Sequence, residues 1–305
     1  MGKEIDIVIP YVNNNDPVWR NTFVNYCTRT RYYKKVASMV GQRFDEIGLF
    51  EYLIKGIDKF MPWVNNIYLL VSNKEQVPSY IDKKRIKVVL HEQFIPYKYL
   101  PTFNSTTIEM FLDKIPNLAE HFIYINDDMF PIAALDPNDF FTESNQIKIS
   151  FINDELQANP TQFKQVCYHQ YKEICELLGY NVLPAKTFQR PYHSFTPMIK
   201  SHCKEIRQLL DDKIKQVLAP FRTEYQYNQY IYPLYELFKG NTVESDIKFE
   251  YLELNNDLDK IISAIDHNQI VCINDSTCKK GIDIKSIKNK LKEKVEWEKS
   301  LLNHR

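Results

Sequence analysis

Residues 118–131 read LAEHFIYINDDMFP, and the apolar run Phe122-Ile123-Tyr124-Ile125 passes straight into Asn126-Asp127-Asp128. Four apolar residues, with two β-branched side chains and two rings, read as a buried strand. Adjacent carboxylates at the end of such a strand are costly to desolvate unless a charge compensates them. A hard cation such as Mg²⁺ does so, because it takes oxygen ligands and leaves positions for substrate phosphates. In open α/β sheets the ligand crevice lies outside the carboxyl ends of the strands. The competing reading is a turn in which Asp127 or Asp128 caps a following helix.

On the N-terminal side, IDIVIPYV (5–12) is a near-continuous apolar run, as in a central parallel strand, with Pro10 marking its end. Asn13-Asn14-Asn15 is turn chemistry, and Asp16-Pro17 predicts a helix start with Asp16 as N-cap and Pro17 at N1. Residues 28–42 are basic and irregular, a candidate loop over the site. A helix is expected to open at Arg43-Phe44-Asp45, bury Ile47, Phe50, Leu53, Ile54, Ile57 and Phe60, and end before Pro62. Strands are expected over 66–72, 86–91 and 147–151. Between them Asn104 or Ser105 caps a predicted helix with Ile108, Phe111, Leu112 and Ile115 on one face. This alternation over 5–151 predicts an α/β fold, a Rossmann-like, mostly parallel sheet flanked by helices.

The middle of the chain changes character. Helices are expected over 161–178, closed by Gly179, and over 203–218, with the proline-bracketed loop Arg190–Pro197 between them. Ala219-Pro220-Phe221-Arg222 begins a Tyr-rich helical stretch to about 239. No Gly/Ser linker intervenes, so residues 156–245 read as a mainly helical insertion or cap on a core made by 1–155, and 246–305 as a return to that core. The polar segment 245–270 gives little signal. Val271-Cys272-Ile273-Asn274-Asp275 then repeats the logic of 122–128. The last segment, 284–302, carries a helical stripe of Ile284, Ile287, Leu291, Val295 and Leu302. Residues 285–305 hold seven Lys/Arg against three Glu, which suits either a docked helix or a membrane-surface contact.

Composition narrows the class. The 305 residues are 44% hydrophobic and 26% charged, ordinary for a globular chain. A net charge of zero gives no field that would favour nucleic acid. With no run of 18 apolar residues, no membrane span is expected, and the start MGKEIDIVIPYV lacks the features of a signal peptide. The six cysteines form no CxxC pair, so thiols in a reducing cytosol are expected. Gly is scarce, at 7, and neither GxGxxG nor a Walker loop is present. Any phosphate must therefore be held by basic side chains, helix N-termini or a metal.

Four blocks of this sequence resemble the four characteristic regions of the Stealth family of sugar-phosphate transferases. They are IDIVIPYVNNNDPVW (5–19), the span from Arg43 to about Phe141 with PTFNS and YINDDM, RPYHSFTPMIK through APFRTEYQ, and CINDSTCKK with the helix after it. The resemblance implies a GT-A-like form of the sheet. It also implies transfer of a hexose-1-phosphate from a UDP-sugar to a sugar hydroxyl, giving a phosphodiester and UMP, with Mg²⁺ or Mn²⁺. The family includes bacterial capsule and cell-wall polysaccharide enzymes and the N-acetylglucosamine-1-phosphotransferase of lysosomal tagging. This chain resembles the bacterial group, which implies a glycan or lipid-linked glycan acceptor and a place in the cytoplasm or on the inner membrane leaflet. It departs from the family at IGLFEYLIKGIDKF, with Gly48, Tyr52 and Gly56 where many members carry an acidic, Arg-rich helix, and at Asn13, where many carry Asp.

Such a reaction needs a held diphosphate, a neutralised leaving group, a base for the acceptor hydroxyl and cations over the reacting phosphorus. Asp127, Asp128, Asn274 and Asp275 offer oxygen ligands for the metal. His193 is the candidate base, since an unperturbed imidazole titrates at about 6.5. Arg190 and Arg222 are candidate phosphate clamps, because a guanidinium fork matches that geometry. Asn104 and Ser105 would cap a helix and turn its N-terminus to an anion. Asp16 and Arg43 are placed for the donor's base, ribose or diphosphate. A structural reading stands beside each: Asp16 as a cap, His193 as a loop residue, the arginines in surface ion pairs. Two alternatives to the transferase remain, a metal-dependent glycosyltransferase that passes only the sugar, and a non-catalytic sugar-binding protein.

Overall fold

The computed structural model describes residues 3–30, 44, 46–82, 84–182, 187–274 and 283–296. Arg43 and Asp275, both expected at the site, lie outside them, as do residues 31–42 of the basic segment and Leu302.

The apolar run after Glu4 forms β1 (Ile5–Pro10), almost wholly buried. A strand buried on both faces belongs in the middle of a sheet. Accordingly β1 lies between β2 (Ile67–Val71) and β4 (His121–Tyr124), parallel to both. On the outer sides, β3 (Ile86–Leu90) pairs parallel with β2 and β9 (Thr196–Ile199) pairs antiparallel with β4. The result is the expected α/β fold, a mostly parallel five-stranded sheet in the order β3-β2-β1-β4-β9. Because side chains alternate along a strand, Ile5, Ile7 and Ile9 enter one core and Val8 the other. The first core is closed by α2 (Phe50–Phe60), α8 (Leu258–His267) and α9 (Ile284–Val295), the second by α4 (Gln162–Leu177), α5 (Lys200–Leu209) and α7 (Ile231–Phe238).

A second sheet joins the first at the end of β4. Here β5 (Met129–Pro131) runs antiparallel to β12 (Ile270–Asn274), which runs parallel to β11 (Phe249–Glu253). Two short ribbons complete the sheets: β6 (Ile147–Lys148) with β10 (Thr242–Val243), and β7 (Phe151–Glu155) with β8 (Thr187–Pro191).

Several expected elements differ, each for a local reason. The first helix, α1 (Pro17–Thr30), runs three residues into the segment expected as a loop. The helix expected from Arg43 begins only at Phe50, because Gly48 takes φ +79°, outside the right-handed helical region. The helix expected to reach Ile115 stops as α3 (Ser105–Glu109), where the Glu109 carbonyl accepts from the Tyr232 hydroxyl at 2.8 Å. The strand expected over 147–151 is split between β6 and β7. The proline-bracketed loop is largely β8 and β9; proline is tolerated there because Pro191 ends β8 and β9 is an edge strand. The helix expected over 203–218 is two, α5 and α6 (Asp211–Val217), and only α7 of the Tyr-rich stretch is helical. The polar 245–270 segment contains β11 and α8, with Asp257 capping α8 through the Asp259 amide at 2.9 Å. The basic helix α9 buries Ile287, Leu291 and Val295 in the domain, and Lys290 and Lys294 pair with Asp266 at 2.9 and 3.1 Å. Gly56 lets α2 approach β5: a Cβ there would lie 2.6 Å from the Pro131 carbonyl oxygen.

Candidate active site

After β4 the chain turns back within four residues, the Met129 amide bonding the Asn126 carbonyl at 3.2 Å, and Asp127 and Asp128 ride on that turn beyond the end of the strand. The C-terminal end of β12 comes alongside. The Ile273 amide donates to the Asp128 carbonyl at 2.8 Å, and Asn274 Nδ2 donates to Asp128 Oδ2 at 2.8 Å. Two strand ends far apart in sequence therefore meet. The other Asp128 oxygen, Oδ1, is buried and has no hydrogen-bond partner among the described residues. A buried acceptor left without a donor is expensive, and a cation resolves that cost. Ligand atoms of Asp128, His193 and Cys272 all lie within 4.8 Å of one another. The residues present thus fit a metal ion. The carboxylates supply hard oxygens for Mg²⁺ or Mn²⁺, while the imidazole and thiol extend the donor set toward softer ions.

His193 sits in the link between β8 and β9, half-buried. Its Nδ1 is 2.9 Å from the Tyr230 hydroxyl and its Nε2 is 3.3 Å from Asn126 Nδ2. An amide nitrogen only donates, so Nε2 accepts and the proton belongs on Nδ1, donated to Tyr230. Burial pushes the His193 pKa below its ordinary 6.5. The Asp128 carboxylate opposes that shift, and the Arg222 and Arg190 guanidiniums add to it. The imidazole is therefore neutral near pH 7, with its Nε2 lone pair turned toward the end of β4.

The two arginines differ. Arg190 Nε donates to Asp154 Oδ2 at 2.9 Å, and its guanidinium lies 5.5 Å from the Phe163 ring centre. Burial alone would raise the Asp154 pKa, but hydrogen bonds from Lys164 and Arg190 bring it down to about 2. Arg222 is exposed and donates from Nη2 to Ser105 Oγ at 2.9 Å. Asn104 is 1% exposed and fully engaged. Its Oδ1 accepts from the Thr106 amide and hydroxyl, and its Nδ2 donates to the Ala219 carbonyl and Gln226 Oε1. Asn104 thus ties the 219–226 segment to α3, whose five residues provide little dipole for an anion.

Asp16 is the predicted cap. Its Oδ1 accepts from the Val18 amide, and its Oδ2 from the Trp19 amide, Asn73 Nδ2 and Gln76 Nε2. Burial raises its pKa, but these bonds outweigh that and leave it below the usual carboxylate range. Its α1 is joined to the Arg222 side of the site by rings: Trp19 and Phe23 meet Phe103, which stacks on Phe221 at 5.5 Å.

Of the residues expected at the site, Asp128, Asn274 and His193 cluster, with Asp127 beside Asp128 on the turn and Arg190 and Arg222 close enough to bias the imidazole. Asp16, Asn104 and Ser105 lie on the wall beyond Arg222. Four residues were missed. Asn126 was within a quoted motif yet given no role, and Cys272 stands two residues before Asn274. Tyr230 was hidden among many tyrosines. Glu109, 4% exposed, accepts from the Tyr124 hydroxyl at 3.1 Å and from the Gln229 amide at 2.7 Å, so it braces the residue next to Tyr230. Burial raises its pKa. No feature of its sequence context marks it.

Residues 43–149 match the model of Stealth protein CR2, conserved region 2. The chain is 33% identical over 223 residues to the capsular polysaccharide phosphotransferase fcs1 of Haemophilus influenzae, covering 70% of this chain and 59% of that one. It is 39% identical over 145 residues to the receptor polysaccharide phosphotransferase WefC of Streptococcus gordonii, covering 47% of this chain and 43% of that one. The chain spans about half the length of the curated relatives it matches. A crystal structure of galactosyltransferase LgtC in complex with donor and acceptor sugar analogs is similar at a TM-score of 0.40 and 11% identity, over 98% of this chain and 99% of that one. The sheet order makes this an α/β protein, similar in sequence to polysaccharide phosphotransferases over part of their length. The chain belongs to the Stealth family.

Proposed function

We propose that this chain is a sugar-1-phosphate transferase of capsular or cell-surface polysaccharide synthesis. It moves a hexose-1-phosphate, such as N-acetylhexosamine-1-phosphate, from a UDP-sugar to a sugar hydroxyl. The observation that carries this reading is the pairing of His193, whose Nδ1 lies 2.9 Å from the Tyr230 hydroxyl, with Asp128, whose buried Oδ1 has no donor among the described residues. The similarity to polysaccharide phosphotransferases supports this type of reaction, and the closeness of the His193 imidazole to the Asp128 carboxylate supports a base beside an ion seat.

The acceptor oxygen attacks the phosphorus that bears the sugar. A new O–P bond forms, the bridging P–O bond of the diphosphate breaks, and the bridging oxygen leaves with UMP. His193 Nε2 takes the hydroxyl proton once the acceptor hydroxyl displaces the Asn126 amide from it, and Tyr230 holds the ring in the tautomer that keeps this nitrogen unprotonated. Arg222, exposed and anchored on Ser105, holds phosphate oxygens. Arg190, fixed by Asp154, adds positive charge beside the reacting phosphorus. Asp127, Asp128 and Asn274, with Asp275, would hold Mg²⁺ or Mn²⁺, which supplies charge to offset the departing nucleoside monophosphate. Asp16, Asn104 and Ser105 form the donor side, and the family resemblance assigns Arg43 to the same substrate. There Asp16 and Asn104 act by shaping the wall, since their polar atoms are already bonded.

No helix among the described residues is long and apolar enough to cross a membrane. For a lipid-linked glycan acceptor we place the protein in the cytoplasm, at the inner leaflet as a peripheral protein, with the exposed Lys285 and Lys292 of α9 toward the lipid. The test is incubation with a panel of UDP-sugars, glycan acceptors and Mg²⁺, followed by phosphorus NMR. A phosphodiester with UMP is expected. A glycoside with UDP would assign the site to sugar transfer alone, and no consumption of any donor would leave a sugar-binding protein.

A further inference from the structure

Large apolar side chains are exposed at eleven described positions, and three of them lie in the surroundings of His193, Tyr251 (41%) against its ring, Tyr192 (41%) next to it in the chain and Phe163 (44%) against its partner Tyr230. They come from separate elements. Tyr251 lies on β11, in register opposite Cys272 of β12, and its ring centre is 5.8 Å from that of His193. Tyr192 precedes His193 in the chain and packs edge-on against Phe249 at 6.3 Å; Phe249 shares the Tyr251 face of β11. Phe163 on α4 meets Tyr230, the hydrogen-bond partner of His193, at 6.1 Å, and also carries the Arg190 guanidinium. None of these elements contributes to the Ser105–Arg222 pair, which reaches the site from α3 and the 219–222 segment.

The chemistry of the two groups differs accordingly. Aromatic faces are electron-rich and disfavour an anion, so a diphosphate is drawn to Arg222 instead. A pyranose is neutral and presents an apolar C–H face with polarised hydrogens, and that face suits a ring. Its equatorial hydroxyls then point outward, within reach of groups such as the Tyr251 hydroxyl.

We propose that Phe163, Tyr192 and Tyr251 form the acceptor subsite, a platform on which one sugar ring of the acceptor glycan stacks with its hydroxyl directed at His193 Nε2. The proposal rests on the transferase reading but concerns only the acceptor. Stacking of this kind is worth about tenfold in affinity.

The test uses methyl glycosides of hexose and N-acetylhexosamine disaccharides as acceptor probes, with the Tyr251→Ala, Tyr192→Ala, Phe163→Ala and Tyr251→Phe variants. These side chains are exposed, so folding should survive their truncation, and circular dichroism checks it. Each alanine variant should raise the acceptor KM about tenfold. Tyr251→Phe, which keeps the ring, should stay much closer to the wild type. The UDP-sugar Kd, read by calorimetry, should not follow the acceptor KM. Saturation-transfer NMR reads the same platform without turnover: the disaccharide C–H protons of one ring face should receive saturation from the wild type and lose it in Tyr251→Ala. An acceptor KM unmoved in all three alanine variants would overturn the proposal, as would absence of any saturation transfer. If no UDP-sugar is consumed but saturation transfer behaves as described, the platform stands and the transferase reading falls.

Discussion

Replacing Tyr230 by Phe tests the state of the base without touching the base. The Tyr230 ring is 1% exposed, and its edge contact with Phe163 does not involve the hydroxyl, so Phe keeps the packing. What is lost is the 2.9 Å bond to His193 Nδ1. A buried N–H left without an acceptor costs roughly 1–3 kcal/mol. The imidazole can escape that cost by moving its proton to Nε2, but this N–H would then face the Asn126 amide and would offer no lone pair. Either way the productive tautomer is disfavoured by that amount, and at about 1.4 kcal/mol per decade kcat should fall about 5- to 150-fold. His193→Ala removes the base itself, typically about 10² to 10⁴ in rate, and the lower half of that range fits a dissociative phosphoryl transfer. Activity should therefore rank wild type, Tyr230→Phe, then His193→Ala, with His193→Gln nearly as slow as the last. Steady-state release of UMP, with donor KM measured in parallel, reads the effect, which should fall on kcat. A Tyr230→Phe enzyme with full kcat would refute the tautomer argument. A His193→Ala enzyme that turns over normally once saturated with donor would refute the base itself.

Other consequences are equally open to measurement. The rate should rise with pH along a limb below 6.5 and be flat above it, because the folded imidazole is pushed down by burial and two arginines. Arg222→Gln should move that limb to higher pH and Asp128→Asn to lower pH, since each removes a cause of opposite sign; a limb that stays put in both variants would assign it to another group. Excess chelator should abolish transfer while circular dichroism stays constant, and Asp128→Ala should cost about a hundredfold or more; full turnover in chelator would remove the ion from the reaction. Gly56→Ala should lower stability by about 1–3 kcal/mol in thermal or denaturant unfolding, because its Cβ would lie 2.6 Å from the Pro131 carbonyl oxygen.

The central sheet was legible because its strands carry uninterrupted apolar runs, and IDIVIP and HFIY can be buried on both faces only in the middle of a sheet. The Asn-Asp strand ends were legible because carboxylates after such a run need a reason. Less visible were elements whose form depends on distant partners. Nothing local tells that the Glu109 carbonyl is taken by Tyr232, ending α3 after one turn. The prolines of 190–197 read as loop because an edge position cannot be inferred from a strand's own residues. Tyr230 and Tyr251 matter through one hydroxyl and one ring face, and composition alone could not separate them from the other tyrosines. The family departure at Gly56 has a local cause after all, the close passage of α2 over β5.

Asp128 meets Asn274 across 146 residues. A ribosome adding about 5–20 residues per second needs about 7–30 s to cover that distance. Throughout that interval the nascent chain carries the first strand end, and later His193, but no second strand to complete the seat. Translation therefore acts as a timer for this contact: the Asp128–Asn274 hydrogen bond cannot form on the ribosome before β12 has been made. Products of premature termination ahead of residue 270 lack the strand that brings Asn274 to Asp128.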